Sequence, residues 1–128
     1  MIKNDWLSKQ IEMMSQALAV LLFGKDAAYN FASEEDEIGD GVEMDENVLL
    51  SYMLRRLMDE GKINEAENLL FDSIESNTSD ERLQIALAFY GQLDKMSDSF
   101  LKDHNFSRQE ILDGLSSIKG IYEQMEEA

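Results

Sequence analysis

Near the start of the chain, Leu7, Ile11, Met14, Leu18 and Leu21 step by four, three, four and three residues. That spacing lays one continuous apolar seam along a helix. It predicts a first helix over 5–23, with Gly24 as the stop. Trp6, Met13, Ala17, Val20 and Leu22 widen the apolar surface past half of the helix circumference. Lys9, Glu12 and Gln16 keep a polar stripe. So broad an apolar surface asks for burial on two sides, by the domain on one and by a second subunit on the other. The five seam residues are therefore a candidate dimer seam. Burial within one chain is the plainer alternative.

Helical periodicity resumes after residue 44. Asp45 reads as an N-cap, with Met44 and Leu49 spaced as a hydrophobic staple. Leu50, Leu54, Leu57 and Met58 mark a buried face, and Gly61 ends that helix. A third helix follows at once, with Ile63, Ala66, Leu69, Leu70 and Ile74 inward. A link this short predicts an antiparallel hairpin. Thr78 and Glu81 have capping-box spacing for a fourth helix. Its stretch from Leu83 to Tyr90 is apolar on most sides, as a central helix is. A short helix around Met96, Phe100 and Leu101 should end at His104 and Asn105. The last helix opens with Ser107 and Glu110 as capping box and Phe106 and Ile111 as staple. Its seam is Ile111, Leu115, Ile118, Tyr122 and Met125. No stretch alternates like a strand. The fold class is all-α, with five to six helices in one domain over 1–128.

The interval 24–44 breaks the pattern. From Ser33 to Glu46 there are eight acids and no base, which reads as an acidic loop or linker between the first helix and the helical body over 45–126. A calcium loop beginning at Asp36 fails on its ligands: the third position is Ile38 and the twelfth is Asn47. Over all 128 residues the formal charge is −16, from 11 basic and 27 acidic side chains. Such a balance argues against nucleic acid as a partner, because phosphate binding needs a positive field. It suits solubility, or a basic protein partner. The chain has no cysteine, which excludes disulfides and thiol chemistry and fits a reducing, cytoplasmic setting. The uncharged run from Met13 to Phe23 is too short to span a bilayer. Asp5 and Glu12 make the start unlike a signal peptide.

Candidate chemistry is sparse. His104 is the only histidine. It lies where a short helix should end, a common place for a polar cap, and no nucleophile motif accompanies it. Gly39 and Gly41 are flanked by acids that would repel phosphate. No catalytic residue, cofactor site or metal site is expected, and the protein reads as non-enzymatic. The eight methionines fit core filling. Arg55 and Arg56 are the only adjacent basic pair. With Tyr52 on the same helix they are candidate partner contacts.

Two resemblances add to this. Gly61, Ile63, Glu65 and Ala66 resemble the turn of a tetratricopeptide repeat, over roughly one repeat from 47 to 76. No second copy follows in register, and position 100 is Phe where a copy would need a small residue. The segments from Asp5 to Lys25, Gly61 to Leu70 and Asn105 to Leu112 resemble a family of small uncharacterised bacterial proteins, a domain of unknown function. That resemblance implies a conspicuous N-terminal helix, a tetratricopeptide-like remainder and a bacterial cytoplasmic setting. It carries no activity. Together these readings favour a helical protein–protein interaction or scaffolding module. The alternative is an acidic regulator that binds a basic partner by charge. No membrane contact is expected.

Overall fold

The structure is a computed structural model that describes residues 2–23 and 45–127, and side chains within 6–22 and 45–124. The expectations for the acidic loop, the calcium loop, Gly24 and Met44 fall outside the described residues. Those residues form six helices and no strand: α1 (Ile2–Phe23), α2 (Glu46–Asp59), α3 (Ile63–Ser76), α4 (Asp80–Asp94), α5 (Asp98–Asp103) and α6 (Arg108–Glu127). The all-α expectation is met.

Helix α4 is the hub. It packs against α1, α2, α3 and α6, while α2 pairs with α3 and α1 pairs with α6. The sequence of α4 explains this role. Leu83, Ala86, Leu87, Phe89, Tyr90 and Leu93 are all buried, so its apolar surface exceeds what one neighbour could cover. The flanking helices carry narrower stripes. Helix α2 buries Leu50, Leu54 and Met58, and α3 buries Ile63, Ala66, Leu70 and Ile74. Helix α6 buries Ile111, Leu115, Ile118 and Tyr122. These faces join one core cluster with Ile11 and Leu18 of α1.

Local chemistry sets the helix ends. Asp45 is extended, and its Oδ1 accepts the Val48 N–H at 2.9 Å. At the other end of α2, Gly61 takes φ 78°. There the Lys62 N–H reaches Leu57 O at 2.8 Å and the Gly61 N–H reaches Met58 O at 3.0 Å. This is a Schellman turn, which closes two carbonyls that the helix leaves open. Helix α5 ends in the same way, with Asn105 at φ 60° in place of glycine. The Phe106 N–H reaches Leu101 O at 2.9 Å and the Asn105 N–H reaches Lys102 O at 3.1 Å. Asparagine tolerates the left-handed region better than most residues.

The two turns dock on each other. Asn64 Nδ2 donates to Asn105 O at 3.0 Å. A Cβ added at Gly61 would lie 2.6 Å from His104 Cδ2. Gly61 is thus needed twice, for its backbone angle and for the imidazole pressed against it.

One cap differs from expectation. Ser79, not Thr78, caps α4, its Oγ accepting the Arg82 N–H at 3.2 Å. The Thr78 hydroxyl instead donates to Ile74 O at 2.8 Å. It is engaged in closing α3, so the next hydroxyl opens α4. For α6 the serine half of the expected box is present: Ser107 Oγ accepts the Glu110 N–H at 3.2 Å, and its hydroxyl donates to Glu110 Oε2 at 3.3 Å.

Candidate interaction surfaces

Helix α1 has two apolar sides, and its tertiary position separates them. Ile11 and Leu18 are 2% and 0% exposed. Leu7, Met14 and Leu21 are half-buried beside them. The candidate dimer seam is therefore occupied by the chain's own core, because α1 turns it toward α6 and α4. The opposite result holds for Trp6, Met13 and Val20, which are 59%, 62% and 43% exposed.

On α2, Tyr52, Arg55 and Arg56 are all exposed, as are the apolar neighbours Leu49 and Met53. Arg56 pairs with Glu60 at 3.6 Å. It points away from Arg55 by one residue's rotation, about 100°. Arg55, Met58 and Asp59 line an open groove with Gln92, Lys95 and Met96, of about 470 Å³. By rotation Tyr52 stands between Arg55 and Arg56 on α2, and of the three predicted contacts Arg55 lines the groove. The groove joins α2 to the end of α4, where the two methionines supply an adaptable apolar lining.

A second open groove, of about 600 Å³, runs between α3 and α6, with Glu67, Asp72, Glu110 and Asp113 around Phe71. Glu67 Oε2 accepts from the buried Tyr90 hydroxyl at 2.5 Å. Burial raises the Glu67 pKa, the Tyr90 hydrogen bond opposes that rise, and the charges of Glu110 and Asp113 add to it. Burial, with the Glu67 charge and hydrogen bond, also raises the Tyr90 pKa strongly, so its proton stays on the phenol. Gly114 makes room for this pair: a Cβ there would lie 2.9 Å from Glu67 Oε2 and still closer to the Tyr90 ring and hydroxyl. A glycine inside a helix costs about 1 kcal/mol relative to alanine; the close approach is what it permits.

His104 is held rather than poised. Its Nδ1 lies 2.8 Å from Phe100 O, and its ring packs on Phe100 with centroids 4.2 Å apart. The carbonyl partner calls for a proton on Nδ1. Among the described residues, no three of His, Asp and Glu converge to hold a metal ion.

Sequence reasoning missed two buried arginines. Arg82, with its side chain 7% exposed, donates to Asn47 Oδ1 at 2.9 Å, Ser73 O at 2.6 Å, Ser76 Oγ at 3.4 Å and Glu46 Oε1 at 3.2 Å. Arg108, at 10%, donates to Asp94 O and Oδ1, Asp98 Oδ1 and Met96 O at 2.6–2.9 Å. Both stand in the first turn of a helix, where the macrodipole disfavours a cation. That misplacement was the available signal. Each reaches instead to a carbonyl at the C-terminal end of an earlier helix, α3 for Arg82 and α4 for Arg108, where a cation is favoured.

These features define an all-helical protein with open surface grooves, and none of its described helices is long and apolar enough to cross a membrane. The chain belongs to the family of unknown function DUF6483, whose profile matches residues 1–123. No curated protein and no solved structure matches it.

Proposed function

We propose that the chain is a non-enzymatic interaction module whose α2–α4 groove receives a short segment of a partner protein. The carrying observation is the groove itself: Met58 and Met96 line it, with Arg55 and Lys95 as its cations against the single acid Asp59. In a chain of formal charge −16, a lining with two cations and one acid departs from the overall balance. It fits an apolar segment bearing a carboxylate better than a basic one. The tight α2–α3 hairpin, with Ala66 fully buried at its contact, supports a tetratricopeptide-like description of this half. The engagement of His104 with Phe100 and Gly61 supports a structural rather than catalytic histidine. The lack of cysteine supports a cytoplasmic setting.

The α3–α6 groove favours a second reading, an acidic regulator that binds a basic partner, because it gathers Glu67, Asp72, Glu110 and Asp113. Affinity capture from native extract at low and high salt separates the two. A partner of the α2–α4 groove should survive high salt and be lost from an Arg55→Ala, Lys95→Glu variant. A charge-led partner should be released by salt and lost from Glu110→Gln, Asp113→Asn. Retention by both variants would remove both readings.

A further inference from the structure

The exposed apolar residues of α1 are not scattered. Trp6, Gln10, Met13, Ala17 and Val20 again step by four, three, four and three. This second seam lies one residue back from the buried one, hence about 100° around the helix. Gln10 and Ala17 are half-buried and the other three are exposed. Helix α1 therefore carries a second row at packing spacing, whose apolar members Trp6, Met13 and Val20 stay exposed while the described fold fills the first. From Trp6 to Val20 the seam is about 21 Å long, so it suits a helix of about four turns. A short peptide would leave most of it uncovered.

Charge decides which helix. Within α1 the ionisable side chains are Lys3, Asp5, Lys9 and Glu12, which cancel. The whole formal charge of −16 belongs to the remainder of the chain. Two copies repel each other wherever their acidic surfaces meet, and least where the facing elements are neutral. A basic partner would be drawn to the acidic surfaces instead.

We propose that the outward seam of α1, centred on Met13, is the contact surface for a second copy of this chain. It is distinct from the inward seam of Ile11 and Leu18, and it stands whether or not the α2–α4 groove binds anything. Substituting the inward seam could not test it, because that would unfold the monomer.

The chain offers one tryptophan and no cysteine, so Trp6 fluorescence reports this face alone. With rising concentration of the full chain, light scattering should move from the 14.6 kDa monomer to twice that mass. Trp6 emission should shift to the blue over the same range. Met13→Glu, a change at an exposed site, should keep the helical circular dichroism and weaken association at least about tenfold. Met53→Glu, at a comparably exposed site on α2, should leave it intact. A monomer at every concentration overturns the proposal, whatever the colour of Trp6 emission. So does a dimer that ignores Met13→Glu or is broken by Met53→Glu.

Discussion

Arg82 and Arg108 occupy the same kind of position and are held by opposite means. Each sits in a first turn, is almost wholly buried, and binds a carbonyl at the C-terminal end of an earlier helix. Around Arg108 the charge is compensated: Asp94 and Asp98 lie 2.7 and 2.8 Å away. Around Arg82 the near acceptors are mostly neutral, and its one acid, Glu46, is 88% exposed. Water screens that pair heavily. One helix-end carbonyl with neutral side-chain oxygens beside it can thus accept a buried guanidinium with little help from carboxylates. Adding two carboxylates makes the corner depend more on its cation.

The largest break in this comparison should come from removing the cations. Arg108→Met leaves two carboxylates facing each other and two carbonyls open, and should cost about 3 kcal/mol in urea denaturation. Arg82→Met leaves neutral acceptors and one well-exposed carboxylate and should cost about 2 kcal/mol. A larger loss at Arg82 would refute the distinction. The carboxylates supply a finer test. Asp94→Asn should cost about 1 kcal/mol, while Glu46→Gln should fall below about 0.5 kcal/mol. Equal losses would mean that exposure does not separate the two pairs.

Glu67 sharpens the comparison from the other side, as a half-buried charge with no cation among its hydrogen-bond partners. Its folded pKa is raised above the ordinary 4.5. A raised carboxyl binds its proton more tightly folded than unfolded. Its contribution to stability is therefore complete below 4.5 and is lost as pH rises through the folded value. Melting temperature should fall as pH rises above 4.5. Glu67→Gln keeps an acceptor for Tyr90 and should flatten that fall. An unchanged slope would assign the whole pH dependence to the chain's general acidity. Tyr122, its hydroxyl donating to Ser79 O at 2.6 Å and its pKa pushed up to about 12 chiefly by burial, adds nothing in this range.

Much of the fold was legible because it is built from local signals. The buried faces of α2, α3, α4 and α6 follow the apolar period, and Asp45, Gly61 and Ser107 act where their chemistry favours. The capping of α4 was legible only to within a residue, since Thr78 and Ser79 both carry hydroxyls. The choice depended on Thr78 being engaged by Ile74 O. For the surfaces, sequence could nominate Tyr52, Arg55 and Arg56 by type. It could not foresee that Arg55 would share a groove with Lys95 and Met96, forty residues on. The arginine corners were hidden for the same reason: their acceptors become neighbours only when helix ends converge.

Sequence by itself determined that this chain is helical, where most helices start and stop, and that α4 must be central. Those are consequences of side-chain period and backbone preference within a few residues. Only the tertiary structure decided which of two equally regular seams on α1 faces inward. The seams differ by a single residue of rotation, and local periodicity is blind to direction. Packing against α4 and α6 takes Leu7, Ile11, Met14, Leu18 and Leu21, and so leaves Trp6, Met13 and Val20 to solvent.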